Sequence, residues 1–283
     1  MTNSEPQAPT DPRIERRRRV VLGISRAWAW VFLLGLIIFF TISVYARTDG
    51  DVFFLNLRNI QSILNTIVPV LLLGLGQTFV IISGGIDLSV GWVMGLSSVV
   101  SARSTLLLAE AGIGAYPAIF IGFGFALAAA SSVGLISGVI IAKLRVPSFI
   151  VTLGMAFVAR GAALMISNGR TIGGLPQEMR DLGNESLIYW QHGEGGGASF
   201  LFKPDLTGEA LRSMDRLFSW PVVVTAIVVA FAVFLLHQTQ FGRHTYAIGG
   251  NREASVRAGV PADRQTIMIF TLSAFTAGLA GVL

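Results

Sequence analysis

Seven long apolar segments are the feature that most restricts how this chain can fold. A helix needs about 20 apolar residues to cross the hydrocarbon core of a bilayer. The segments that meet this length are residues 28–46, 60–82, 87–108, 117–142, 149–168, 220–236 and 264–283. Only 13% of all residues are charged, which is about half the usual share in a soluble domain. The sequence therefore predicts an all-α, polytopic transmembrane helical bundle with about seven spans.

A basic tail before the first span predicts the orientation of the chain. Most of its arginines lie at 13–19, and basic residues that flank a span stay in the cytoplasm. We expect residues 1–27 to form a cytoplasmic, disordered tail and residues 28–283 to form the transmembrane permease domain. No aromatic residue is interleaved with Arg16–Arg19, so a role in nucleic-acid binding is not favoured. The first apolar stretch is longer than the core of a signal peptide, which favours an uncleaved helix.

This orientation assigns every later loop to one side of the membrane. The loops then inside are 83–86, 143–148 and 237–263, and the loops then outside are 47–59, 109–116 and 169–219. Basic residues outnumber acidic ones in the inner set together with the tail, and the reverse holds in the outer set. That asymmetry follows the positive-inside rule. Segment 169–219 is thus predicted to be an extracytoplasmic loop, too short in apolar residues for a domain of its own.

A break between the second and third spans is the first candidate site. Gly84 and Gly85 interrupt the helix, and we expect Asp87 to restart it as an N-cap. Irregular backbone at membrane depth is tolerated only against protein or a water-filled cavity, and transporters place substrate sites or gates at such breaks. The alternative is that Asp87 only caps a helix near the inner surface. The two spans could also form one broken unit.

Arg160 is the second candidate, because it lies about eleven residues into the fifth span. A charge at that depth costs at least about 2.5–3.5 kcal/mol, so we expect Arg160 to face the bundle interior. It could pair with Asp87, with a backbone carbonyl or with a polar pathway, and we take the Asp87 pair as a hypothesis. The predicted substrate-pathway or gate residues are Gln77, Gly84, Gly85, Asp87, Ser89, Thr152, Arg160 and Asn168.

The chain carries no sign of its own energy-converting or catalytic machinery. A phosphate-binding loop needs a lysine followed by serine or threonine, whereas Lys143 and Lys203 precede leucine and proline. There is no cysteine, and the three histidines lack the spacing of metal ligands. We therefore expect no catalytic residue, no metal and no cofactor. If ATP drives transport, another polypeptide must bind it.

The inner loop 237–263 carries the signals of a short helix. Asn251 is a good N-cap, Glu253 complements the positive end of a helix, and Gly259 can adopt the left-handed conformation that ends one. These residues predict a two-turn helix over 252–258, outside the membrane. A helix this short is marginal unless it is docked, so we favour a docked partner over a plain surface turn.

Three sequence blocks together resemble the ribose-type sugar permeases of bacterial ATP-binding-cassette importers. The first is Gly76–Gly91 with its Gly-Gly-Ile-Asp-Leu-Ser-Val-Gly core, and the second is Val146–Gly154 with Ala159-Arg160-Gly161. The third comprises Phe241-Gly242-Arg243, Ala247–Ala254 and Ala258-Gly259-Val260. The similarity covers roughly residues 28–283. Such permeases continue beyond the third block for further helices, so we expect the family fold to be incomplete at the C-terminus.

The resemblance implies a permease subunit of an ATP-driven importer for a monosaccharide or related carbohydrate, in the bacterial inner membrane. Its implied partners are a cytoplasmic cassette ATPase, a second permease copy (identical or not) and a periplasmic or extracellular sugar-binding protein. The residues implied to couple to the ATPase are Gly242, Arg243, Gly249, Gly250, Asn251, Arg252, Glu253, Ala254 and Gly259. A branched-chain amino acid permease subunit and a secondary carrier remain alternatives, and the sequence does not identify the sugar.

Overall fold

The computed structural model describes residues 12–47, 54–191, 197–200 and 214–283. Its contacts divide the chain into two units, Met1–Ile60 and Gln61–Leu283. The helices of the described residues are α1 (Pro12–Arg47), α2 (Leu57–Ile82), α3 (Val90–Glu110), α4 (Ala115–Leu144), α5 (Ser148–Ser167), α6 (Gln177–Asn184), α7 (Trp220–Gln238), α8 (Gln240–Gly250), α9 (Arg252–Arg257) and α10 (Ala262–Val282). The strands are β1 (Ser186–Gln191), β2 (Ala198–Phe200) and β3 (Met214–Ser219).

Seven of these helices are long and apolar enough to cross a membrane. They are α1 from Trp28 onward, α2, α3, α4, α5, α7 and α10. The predicted spans and the all-α, polytopic fold class are therefore confirmed. The largest shifts of a span boundary are three residues: the second span begins at Leu57 rather than at residue 60, and the third begins at Val90 rather than at residue 87.

The first unit contains α1, which begins well before its apolar part. Because α1 starts at Pro12, residues 12–27 of the predicted disordered tail are helical, and residues 1–11 of that tail lie outside the described residues. Proline suits the first turn of a helix, where no partner is needed for its missing N–H, and arginine is a strong helix former. Within this unit the ring of Phe40 stacks on Phe54, with centroids 5.7 Å apart.

The core of the second unit is built around α10, which packs most extensively against α4 and α3. Small residues let these backbones approach closely. A Cβ added to Gly138 of α4 would lie 2.7 Å from Cα of Ile267, and one added to Gly278 would lie 2.6 Å from Cβ of Ala130. The two contacts also show that α4 and α10 run antiparallel. The sequence also shows small residues at Gly91 and Gly95, but these two meet open space within the second unit.

The packing of α10 places the break, the α4–α5 turn and the α8–α9 segment at the same end of the second unit. Gly76 of α2 lies against Ser273 of α10, while the beginning of α10 lies beside the end of α4 at Gly138. The N–H of Ile86 in the break donates to Ser148 Oγ at the start of α5, at 3.0 Å. The candidate site residues of the inner loops are thus brought to one region.

The segment 169–219 contains structure that the sequence does not predict. Strands β2, β1 and β3 form a small antiparallel sheet in that spatial order, and α6 precedes it. Tyr189 of β1 is buried, and its hydroxyl accepts the N–H of Ser186 at 3.0 Å. Gln61 of α2 donates to Ser186 Oγ at 3.3 Å. This contact attaches the sheet to the far end of the same helix that leads into the break.

Candidate functional site

The break between α2 and α3 is a segment of non-helical backbone, residues 83–89, held by side chains from other helices. Gly84 has φ +81°, a left-handed conformation that glycine adopts without steric cost. The N–H of Leu88 donates to Thr152 Oγ1 at 3.0 Å, and Gln77 Nε2 donates to the carbonyl of Asp87 at 2.5 Å. Backbone polar groups that leave a helix inside a membrane protein need such partners. Gln77 and Thr152 therefore support the break directly.

The carboxylate of Asp87 lies at the centre of the break and is only 4% exposed. Its Oδ1 accepts the N–H of Ser89 at 2.9 Å and the hydroxyl of Ser89 at 2.6 Å. Its Oδ2 accepts the hydroxyl of Ser273 in α10 at 2.9 Å. A buried carboxylate needs donors on both oxygens, and here two hydroxyls and one amide supply them.

Asp87 is not the N-cap of α3, so that prediction is wrong. The cap position belongs to Ser89, whose side chain makes no capping bond. Two further residues of non-helical backbone follow Asp87 before α3 begins, and they leave its carboxylate free to face α10. Asp87 thus joins two helices rather than ending one.

Arg160 does not pair with Asp87, and it does not lie in the interior of the chain. Its side chain is exposed, and its guanidinium lies over the ring of Trp92 in α3, 4.9 Å from the centroid. Thr152 lies on the face of α5 that contacts the break. Arg160 is eight residues further along the helix, so its side chain is rotated by about 80° from that face. The donors around Asp87 also leave no need for a cationic partner. Both the Asp87 pair and the interior position are corrected.

Arg160 nevertheless lies near the middle of its helix. It is about 18 Å from the start of α5 by helical rise, and helical side chains lean toward the N-terminus. The hydrocarbon core is about 30 Å thick. The guanidinium and the half-exposed Trp92 therefore form a polar and aromatic pair on the outer surface of a single chain at mid-membrane depth.

Asn168 is not brought to the break. It is the left-handed C-cap of α5, with φ 51°, and lies at the opposite end of that helix from Ser148. A helical rise of about 24 Å separates it from Thr152. If Asn168 contributes to a pathway, it does so at the other side of the membrane.

A cavity of about 320 Å³ lies between the break and residues 239–261, the inner segment, which contains α8 and α9. Its lining includes Ser83, Gly84 and Gly85 from the break, and Gly249 and Arg252 from the other side. Gly249 also approaches the carbonyl of Ile82 so closely that a Cβ at this position would overlap it. Residues predicted for the gate and residues predicted for coupling therefore line one space.

The inner segment contains two helices where the sequence analysis expects one. Helix α8 is an addition: Gly242 packs against the carbonyl of Leu236, and the buried Gln265 of α10 donates to the carbonyl of Phe241 at 2.8 Å. Helix α9 matches the expected short helix. The Asn251 side chain accepts the N–H of Ala254 at 2.9 Å, and Gly259 has φ +86°. The predicted N-cap and left-handed glycine are therefore confirmed.

Helix α9 is fixed to the bundle through one arginine. Arg252 donates to Asp263 Oδ1 at 2.9 Å and to Thr266 Oγ1 at 3.0 Å, both on α10. Lys143 at the end of α4 lies 3.7 Å from the other oxygen of Asp263. The remaining coupling candidates Arg243, Gly250, Glu253 and Ala254 are exposed. The helix is thus docked on one side and open on the other.

Sequence reasoning misses three residues that the structure brings to these sites: Ser148, Trp92 and Ser273. Ser273 has a usable signal, because Thr266 and Ser273 are polar residues about two turns apart on the same face of an apolar helix. Trp92 and Ser148 have none, because they resemble any interfacial aromatic residue or helix-start serine. Among the described residues, no group of histidine and acidic side chains could hold a metal ion.

Comparison with known proteins gives a consistent set of relatives. The family described as "Branched-chain amino acid transport system / permease component" matches residues 59–283. The L-arabinose ABC transporter permease protein AraH of Azospirillum brasilense is 33% identical over 253 residues, covering 89% of this chain and 62% of AraH. The ribose import permease protein RbsC of Escherichia coli K12 is 30% identical, covering 81% of this chain and 62% of RbsC.

A third relative, the xylose transport system permease protein XylH of Haemophilus influenzae, is 29% identical over 275 residues, covering 83% of this chain and 69% of XylH. The chain spans a little under two thirds of the length of the arabinose and ribose permeases that it matches. No solved structure matches it.

Proposed function

We propose, because the chain belongs to this family of transport permease components, that it forms the membrane pathway of an ATP-driven importer for a monosaccharide or related carbohydrate. It is a multi-pass membrane protein, and seven helices among its described residues are able to span a bilayer. We place it in the bacterial inner membrane with the N-terminus in the cytoplasm, on the distribution of basic residues.

The observation that carries the proposal is the continuous connection from α9 to the break. Arg252 of α9 is bonded to Asp263 and Thr266 at the start of α10. About two turns further along the same face, Ser273 of α10 is bonded to Asp87 in the break. A force applied to the exposed side of α9 would therefore reach the break through one helix. This connection supports the proposal of an importer that a separate ATPase drives.

The proposed partners follow from surfaces that one chain leaves uncovered. A cytoplasmic cassette ATPase, which would bind the ATP, would dock on α9 and use the candidate coupling residues. A second permease copy would cover Arg160, since a charge at mid-membrane depth must face protein or water rather than lipid. A binding protein on the other side would deliver the sugar to the pathway between the two copies.

The carbohydrate class rests on the relatives, whose names refer to arabinose, fructose, ribose and xylose. The family description favours a second candidate, a branched-chain amino acid permease subunit. Uptake by membranes that contain the chain with its ATPase and binding protein separates the two. Radiolabelled pentoses and hexoses would be taken up under the first proposal, and leucine under the second.

The coupling step is tested by Ala254→Asp in the exposed part of α9. Placing a carboxylate on the docking surface is expected to lower ATP-dependent sugar uptake at least tenfold while the ATPase subunit keeps hydrolysing ATP. The matched control is Ala111→Asp, an exposed alanine at the opposite end of the bundle, which should retain uptake. Full uptake by Ala254→Asp, or uptake by wild type without any ATPase subunit, would contradict the proposal and favour a secondary carrier.

A further inference from the structure

A second and larger cavity, of about 680 Å³, lies beside α9 and shares Arg252 and Glu253 with the candidate coupling residues. It is lined by Ile141, Arg145, Val146, Arg252, Glu253, Val256 and Arg257. Three arginines and one acidic residue thus line one space. Glu253 lies 3.8 Å from Arg257, and Arg252 is bonded to Asp263. Arg145, in the left-handed conformation with φ 54°, makes no ion pair with any described residue.

The surroundings of Arg145 indicate that this cavity opens at the boundary of the hydrocarbon core. Leu144 is 70% exposed, and Phe149 and Ile150 just beyond the turn are about half exposed. Ile141, in the cavity wall, lies within the spanning helix α4, one turn before its end. Large exposed apolar side chains next to an arginine are typical of a position where acyl chains meet headgroups.

We propose that this cavity binds the phosphate headgroup of an anionic phospholipid. The guanidinium groups of Arg145 and Arg257 would contact the phosphate, since arginine forms paired hydrogen bonds to phosphate oxygens. Ile141, Val146 and Val256 would contact the first carbons of the lipid. Arg145 and the exposed Leu144 lie at the end of the apolar helix α4, where lipid headgroups meet a spanning helix, which favours a lipid as the occupant.

The test measures lipid binding to the purified full chain in detergent by native mass spectrometry. The probes are phosphatidylglycerol and phosphatidylcholine of the same acyl composition, together with inorganic phosphate. Wild type is expected to bind phosphatidylglycerol at least tenfold more tightly than phosphatidylcholine. The double variant Arg145→Gln/Arg257→Gln should lose most of that preference, because each arginine near an anionic headgroup contributes roughly fivefold.

The matched control is Arg264→Gln, which removes an exposed arginine of the same end that does not line the cavity. It should keep the preference, and Arg145→Lys, which keeps the charge, should keep most of it. An equal loss in Arg264→Gln would mean unspecific attraction to the basic end and would overturn the proposal. So would displacement of the lipid by millimolar inorganic phosphate, which would indicate a free-phosphate site.

A third contrary result concerns the ATPase. If the double variant binds phosphatidylglycerol as wild type does but no longer co-purifies with the ATPase subunit, the cavity is a protein contact and the lipid proposal is wrong. This result would leave the proposed transport function standing. Conversely, the double variant could lose the lipid preference while the wild-type chain shows no ATP-dependent uptake. This result would support the lipid site and count against the transport proposal.

Discussion

The break at 83–89 and helix α9 both lie outside the spanning helices, but they are held by different kinds of interaction. The break is bound to the bundle by buried hydroxyl and amide groups around Asp87. Helix α9 is bound by Arg252 and Asp263, whose side chains are each nearly half exposed. Short hydrogen bonds in a dry interior are costly to lose, whereas exposed ion pairs contribute little and are weakened by salt.

The difference suggests that the two regions serve different needs. A segment that must remain closed against leakage benefits from a fully bonded carboxylate that tolerates little displacement. A segment that must respond to a partner benefits from contacts that can break and form again in water. Three substitutions test this contrast, beginning with the one expected to have the largest effect.

Asp87→Ala should have the largest effect on stability. It leaves the hydroxyls of Ser89 and Ser273 and one amide without their acceptor in a buried site, which should cost about 3 kcal/mol in the free energy of unfolding. Unfolding by sodium dodecyl sulfate in mixed micelles measures the change. Ser273→Ala, which removes one donor, should cost less than half as much. A loss below 1 kcal/mol for Asp87→Ala would mean that the break is not held in this way.

The control for this prediction is Arg160→Ala combined with Asp87→Asn. Because the structure holds the two side chains with different partners, their effects on stability should add to within about 0.5 kcal/mol. If one substitution partly rescued the other, the two side chains would have to form an ion pair, which the structure does not contain.

Arg252→Ala should have an intermediate effect that depends on salt. The bond to Asp263 is partly exposed, so its loss should cost about 0.5–1 kcal/mol at low ionic strength and less in 0.5 M sodium chloride. Lys143→Ala is the matched control, since its contact with Asp263 is longer and its side chain more exposed. A cost of 3 kcal/mol that is insensitive to salt would remove the distinction between the two regions.

Glu253→Gln should have the smallest effect. Its ion pair with Arg257 spans one helical turn and both side chains are more than four-fifths exposed, so the expected cost is about 0.3–0.5 kcal/mol. Circular dichroism and the same unfolding titration would measure it. A larger loss would mean that α9 depends on its own ion pair rather than on docking to α10.

The sequence predicts those parts of the molecule that depend on residues close together in the chain. The spans follow from runs of apolar residues, and the Asn251 cap and the left-handed Gly259 follow from helix-end chemistry. The partner of Asp87 could not be predicted, because Ser273 is 186 residues away and a serine in an apolar helix has many possible roles. The interior position expected for Arg160 is wrong, because its guanidinium lies over Trp92 on an exposed face of the chain.

Other parts were missed for related reasons. Only Thr239 separates the end of α7 from the start of α8, which it caps, and the distant Gln265 holds α8 to α10. The small sheet of 186–219 has short strands, and the first two are separated by residues rich in glycine. Such strands are stabilised by pairing and by contact with α2, neither of which is visible in a local pattern.

The spacing of Thr266 and Ser273 on α10 has a consequence for how motion could pass along that helix. The two residues face the same way only because the number of residues between them returns the helix nearly to its starting angle. One inserted residue would lengthen this stretch by only about 1.5 Å but would rotate Ser273 by about 100°, away from Asp87. The contact between Ser273 and Asp87 therefore depends on the rotation of α10 about its axis more than on its length. Twisting α10 would disturb this contact more than sliding the helix along its axis.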